Sequence, residues 1–239
     1  YHRPIHIQET TEAQDNLASI RTTHLDDYQF TPENVVKINV IRAVVVDPQG
    51  NRSDVVTQSY LVGQNISSHY SLPVVSLATD SRYFFDPEIG FYVPGEAFEE
   101  QHLVWFNPAN YTQRGLMWER PISFEFFDIS GQLQFAQDLG VRIYGGATRS
   151  YPQKSLKLYA SDHYHSPGRI EYDFFPSRLS PLTDQSVDTF ETIILRNGGN
   201  DWYGTLFRDV LAQKLLEPTQ LDIQGAFPVV VFLNGEYWG

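Results

Sequence analysis

Arg142, Arg149, Lys154 and Lys157 fall within one run, GVRIYGGATRSYPQKSLKLYA (140–160). No acid lies between Asp138 and Asp162, although the chain carries 29 Asp and Glu against 17 Lys and Arg. Gly-Gly beside such cations lets backbone N–H groups and side-chain charges converge on phosphate oxygens. The alternative is a solvated strand face whose bases pair with acids from elsewhere. The order of Gly, Lys and Ser does not make a Walker A loop. A second constellation is ILRNGGNDWYGTLFRD (194–209), with Arg196, Asn197, Asn200 and Asp201 between an apolar strand and a helix. Turn formation and capping account for the Asx and Gly residues. Arg208 and Asp209 in the first helical turn are less easily explained, because an Arg there opposes the preference of the helix dipole for acids and calls for a specific partner.

Other candidates carry less chemistry. Asp162, His163 and His165 resemble a metal-ligand cluster, but no second cluster supports them and no metal site is expected. Asp80, Asp86 and Glu88 are possible glycosidase carboxylates, yet acids are so numerous that such groupings carry little information. No G-x-S-x-G occurs. Asn65-Ile-Ser67 and Asn110-Tyr-Thr112 match the glycosylation sequon. Trp105, Trp118 and Trp202 have the chemistry to stack on sugars, although core packing is the commoner use.

These residues must be positioned by strands. In PISFEFFDISGQLQFAQDLGVRIYGG (121–146), Ile122, Phe124 and Phe126 share one face, and D-x-x-G makes the turn of a hairpin. In the next strand, Leu156 and Leu158 face one side and Lys157 and Tyr159 the other. In TLFRDVLAQKLLEP, Leu206, Phe207, Val210, Leu211 and Leu215 follow the helical period, Thr205 is the expected N-cap, and Pro218 ends the helix. FPVVVFLNGEYWG reads as a strand, an Asn-Gly turn and a returning strand. Upstream, 34–62 reads as two strands joined by DPQGN, with apolar residues over 40–46 implying burial on both faces.

Composition bounds the function. The 239 residues allow one large or two smaller domains. A formal net charge of -12 argues against a sequence-independent grip on nucleic acid. The absence of Cys removes disulfides and thiolate metal sites. No apolar run is long enough to span a bilayer. The first residues, YHRPIHIQ, lack a Met, so the sequence is expected to be a piece of something longer.

Three motifs in order, GVRIYGGATRSYPQKSLKLYA, LRNGGNDWYGTLFRD and PVVVFLNGEYWG, resemble the spore-coat protein H (CotH) family. That family's G-x-R-x-x-G and R-x-x-P-K-K-S-x-K are matched by Gly140, Arg142, Gly145, Arg149, Pro152, Lys154, Ser155 and Lys157. Gln153 stands where the family usually has the first of two lysines. The run RA…D..G..SDVVT.SY resembles the C-terminal module of chitobiases and β-hexosaminidases. The resemblance implies a parent acting as an atypical protein kinase, using ATP and Mg2+ to phosphorylate serine of a protein acceptor.

In that reading Arg142, Arg149, Lys154 and Lys157 are candidates for binding nucleotide phosphates. Arg196, Asn200, Asp201, Arg208 and Asp209 support them, with Arg208 or Asp209 positioning the lysine. The family's catalytic acids lie beyond this hairpin, in a second lobe, so the fragment itself is expected to be inactive and to hold no cofactor or metal. The fold expected is α+β: a partial β-sandwich module (1–62), a linker (63–71) and a β-rich kinase-like N-terminal lobe with one main helix (72–239). The location implied is bacterial, secreted or at the cell surface, with no membrane span and no nucleic-acid partner. A non-catalytic surface or adhesion module and a carbohydrate-binding accessory region of a polysaccharide-degrading system are the alternatives.

Overall fold

Alternating apolar residues over 120–144 build the centre of the protein. The computed structural model describes residues 3–9, 17–25, 35–63, 70–101, 107–164, 167–176, 178–180, 184–219 and 221–239. Strands β1 (Asn39–Ala43) and β2 (Val56–Tyr60) precede β3 (Val74–Ala78) and the short helix α1 (Ser81–Phe85). Then come β4 (Arg120–Phe127), β5 (Leu133–Tyr144), β6 (Ser155–Tyr159), β7 (Ile170–Glu171), β8 (Thr189–Phe190) and β9 (Thr192–Leu195). Helix α2 (Arg208–Leu216), β10 (Val230–Leu233) and β11 (Glu236–Tyr237) complete the chain. The architecture is α+β, β-rich, with one principal helix.

Seven strands form one sheet in the order β11-β10-β3-β4-β5-β6-β9. Its pairings are antiparallel except that of β3 with β10. The β4–β5 turn is made by Asp128, whose carboxylate accepts the Ser130 and Gln132 N–H groups, while Gly131 takes φ 79°. Asn234 and Gly235, at φ 47° and 89°, turn β10 into β11 as Asn-Gly predicts.

The period-2 pattern sorts the sheet into two faces. One carries Leu77, Ile122, Phe124, Phe126, Leu139, Val141, Ile143, Leu156 and Leu158 into the main core, against Phe84, Phe91, Tyr92, Tyr111 and Phe174. Phe174 meets Phe124 and Phe126 edge-on, with ring centroids 6.3 and 5.3 Å away. Such pairs add about 0.5–1.5 kcal/mol each beyond their buried area.

The opposite face is covered at one end by the β1–β2 ribbon, through Ile38, Val74, Phe127, Val230 and Phe232. There the buried Glu125 carboxylate accepts the Ser59 N–H at 2.9 Å and the Gln58 side-chain amide at 3.2 Å, and Ser59 Oγ lies 2.8 Å from Ser76 Oγ. The strands expected within 1–62 are therefore fastened to the large sheet. Tyr70, at the end of the expected linker, stacks on Tyr237, while 64–69 lie outside the described residues.

Two local expectations are corrected. Val44, Val45 and Val46 are exposed rather than buried on both faces, because the ribbon has only two strands and its tip runs past the sheet that covers one side. The helix starts at Arg208, not Thr205, and its cap position is Phe207, with no side-chain capping bond. Leu206 takes φ 66°, which breaks the helical path before it. Its apolar period also does not mark a buried stripe, since Leu206, Phe207, Leu211 and Leu215 are exposed.

Candidate functional site

The four cations of the 142–157 run divide between the two faces of the sheet. Arg142 on β5 and Lys157 on β6 are direct cross-strand partners on the face opposite the main core. They share Tyr159: the Arg142 guanidinium lies 3.8 Å from the ring centroid and Lys157 Nζ 5.3 Å, with Tyr144 a further 6.0 Å from Lys157. Arg142 Nε also lies 3.0 Å from Glu119 Oε2, as an ion pair whose N–H is not aimed well enough for a hydrogen bond. Glu119 Oε1 accepts the Tyr164 hydroxyl at 2.8 Å. Burial, and then this acceptance by a carboxylate, raises the Tyr164 pKa. Lys157 is half-buried and forms no ion pair among the described residues.

The glycine of G-x-R explains the assembly. A Cβ at Gly140 would sit 2.5 Å from Glu119 Oε1 and 2.6 Å from the Tyr164 ring. Only a residue without a side chain lets both fold over β5 and reach Arg142.

Arg149 and Lys154 belong instead to the core side. Buried Arg149 donates to four carbonyls: Gly145 (2.8 Å), Tyr111 (3.0 Å), Gln113 (2.9 Å) and Ile143 (2.5 Å). It ties the end of β5 to the 110–112 turn. Burial foremost, with the positive charges of Arg114 and Arg142, pushes its pKa down to about 10. Lys154 is buried as well, with Nζ donating to the Thr22 (2.7 Å) and Tyr151 (2.5 Å) carbonyls. The same ammonium lies 4.2 Å from the Tyr111 ring centroid and 5.2 Å from that of Tyr92. Burial holds its pKa well below the usual 10.5.

The second constellation closes on itself. Asp201 accepts the Thr205 hydroxyl (2.6 Å) and the Arg208 N–H (3.1 Å), and its carboxylate also meets the Arg208 guanidinium at 3.0 Å. Asp201 thus does the capping work expected of Thr205. Asp209 pairs with Arg196 at 2.6 Å, so the base and the acid of the first helical turn are taken up by Asp201 and Arg196 rather than by Lys154. Gly199 permits this, since a Cβ there would meet the Arg196 guanidinium at 2.6 Å. Asn200 is exposed in the 199–201 turn.

The remaining candidates sit in structural roles. Asp80 caps α1 and chelates Arg82, Asp86 accepts the Glu88 and Ile89 N–H groups, and Glu88 is exposed. Asp162 and His163 lie in a short turn, and His165 lies outside the described residues, among which no group of three or more His, Cys, Asp or Glu is gathered. Asn110 of the second sequon is buried, its amide donating to the Pro87 and Gly90 carbonyls. Asn65 and Trp105 are outside the described residues. Trp118 packs against the core, and Trp202 Nε1 donates to Gln153 Oε1.

Sequence reasoning named Gln153 and Asn197 without their partners, and missed Tyr92, Glu119 and Tyr164 altogether. Gln153 also donates to the Trp238 carbonyl, and Asn197 accepts from Ser155 Oγ and donates to the Gln153 carbonyl. Tyr92 accepts both the Lys154 N–H and the Trp238 indole N–H. Gly140 also left a signal, a glycine inside a strand pattern, but its partners Glu119 and Tyr164 are remote in sequence.

Residues 141–239 match the family model CotH, described as CotH kinase protein. This agrees with the resemblance carried by the three motifs. No curated protein and no solved structure matches the chain.

Proposed function

We propose that the segment carrying the CotH match is a nucleotide-phosphate-binding part of a kinase-like protein, and that Arg142 and Lys157 face the phosphates. The observation that carries the reading is the cross-strand Arg142–Lys157 pair on the face that the β1–β2 ribbon leaves uncovered, with no ion pair to Lys157 among the described residues. Lys157 supplies a mobile point charge. Arg142, held by Glu119 and stacked on Tyr159, supplies a fixed planar donor. Tyr144 and Tyr159 line the same face, and their rings favour a cation between them over a second anion. Arg149 and Lys154 serve the scaffold in this reading, because both are buried and already engaged by carbonyls.

Phosphoryl transfer rests on positioning and charge neutralisation, with a carboxylate-held metal at the transferring group. Mg2+ would supply that neutralisation. No metal ligand is assigned among the described residues. The segment's own part is to grip the polyphosphate. A serine of a protein is the acceptor proposed from the family reading, with the kinase itself secreted or at the cell surface.

Calorimetric titration of ATP with magnesium tests this. Lys157→Ala is expected to weaken binding about tenfold, the scale of one charge-assisted contact. Unchanged affinity in Lys157→Ala, with affinity lost in a folded Lys154→Met protein, would put the nucleotide on the other face and refute the assignment. Binding to a polysaccharide in place of ATP would favour the carbohydrate alternative.

A further inference from the structure

Among the described residues, the stretch Leu17–Leu25 is held by hydrogen bonds at two places far apart in sequence. At one end, Leu17 and Ala18 present their backbone N–H groups to the two oxygens of the buried Glu236 carboxylate, at 2.9 and 3.1 Å. Glu236 also pairs with Lys37 at 3.1 Å. At the other end, Thr22 Oγ donates to the Pro152 carbonyl (3.1 Å) and Thr23 Oγ to the Ser150 carbonyl (2.5 Å). The Thr22 carbonyl takes a hydrogen bond from Lys154 Nζ, and His24 stacks on Tyr111 and bonds its hydroxyl.

Hence the residues that surround the buried ammonium are of two kinds. Tyr151, Tyr92 and Tyr111 belong to the 70–239 part of the chain, whereas Thr22 comes from the N-terminal stretch.

This arrangement has a definite physical character. A buried ammonium is tolerated only where carbonyls and rings replace its water. Here one of its two carbonyls is contributed by a segment with no regular strand pairing of its own: only Leu17–Ser19 forms a single turn. The segment's apolar anchors gather at one end, where Leu25 is buried and the His24 ring packs on Phe98 and Tyr111. Leu17–Thr23 is held by the polar contacts above, and local openings are drawn from such polar-held, irregular stretches. We infer that Leu17–Leu25 is a strap that closes over Lys154, clasped at one end by Glu236 and at the other by Thr23 on the Ser150 carbonyl, and that its opening uncovers the lysine without unfolding the sheet. The lysine so uncovered is an amine of the core side, distinct from the Arg142–Lys157 pair. The inference does not depend on the nucleotide reading.

The test is competitive amine acylation of the full chain with a water-soluble N-hydroxysuccinimide acetate, read by peptide mass spectrometry. Lys157 serves as the internal reference. In the unaltered protein Lys154 should label far more slowly than Lys157. Glu236→Gln removes the carboxylate at one clasp and Thr23→Val removes the hydroxyl at the other. Each should speed Lys154 labelling about tenfold, the factor carried by one such bond, while Lys157 is unchanged.

Low urea added to the reaction separates strap opening from global unfolding. Strap opening exposes little surface, so the Lys154 rate should be nearly flat in urea. Three results overturn the inference: Lys154 labelling as fast as Lys157 in the unaltered protein, neither variant accelerating it, or a Lys154 rate that climbs with the full urea dependence of unfolding. Because the two variants act on opposite ends, misfolding of Glu236→Gln leaves Thr23→Val to decide.

Discussion

Arg149→Ala separates a ligand-binding arginine from a scaffold arginine. In the structure, the guanidinium satisfies four carbonyls on two segments, and the bonds to Tyr111 and Ile143 are buried. Truncation leaves those acceptors unpaired, at about 1–3 kcal/mol for each buried group. The partly buried bonds to Gly145 and Gln113 add less, since water can reach them. Relief of the desolvated cation works the other way. The net loss expected is about 3–5 kcal/mol, a large share of the ~5–15 kcal/mol that holds a domain folded. Urea unfolding followed by tryptophan fluorescence measures it, with m unchanged if the mutation acts on the native state. Arg149→Lys should fall between, because an ammonium keeps the charge but lacks the planar fork that reaches both segments. A loss below about 1 kcal/mol, the level of an ordinary surface substitution, would refute the clamp and return Arg149 to the list of phosphate ligands.

Further outcomes follow from the same contacts. Lys154 has a folded-state pKa below its unfolded value, so between the two the unfolded chain binds more protons and stability rises with pH. The stability difference between the unaltered protein and Lys154→Met should therefore move in favour of the lysine as pH is raised towards 10.5, and a pH-independent difference in urea titrations would contradict this. Tyr92→Phe deletes the acceptor of the buried Lys154 N–H and the part-buried Trp238 indole N–H and should cost about 1–3 kcal/mol in the same assay. Asp201→Ala should speed amide exchange in the first turn of α2, because that carboxylate accepts the Arg208 N–H. Gly140→Ala should displace Glu119 and Tyr164, seen as a lowered tyrosine titration midpoint once the Tyr164 hydroxyl leaves its carboxylate.

The sequence by itself determined the local elements. Period-2 alternation placed Ile122, Phe124 and Phe126 on one face and set Lys157 and Tyr159 opposite Leu156 and Leu158, because strand geometry leaves no other choice. Asn234-Gly235 fixed its hairpin for an equally local reason, the positive φ angles that such a turn needs. Tertiary structure alone decided which cations are available to a ligand. Arg149 and Lys154 read like Arg142 and Lys157 in the chain, but they are taken up by carbonyls of Tyr111, Gln113 and Thr22, tens to more than a hundred residues away. The same holds for α2, whose apolar period is legible while its exposed setting is not. A charge or an apolar side chain is written in the sequence, but what desolvates or neutralises it is set by residues brought near only when the sheet closes.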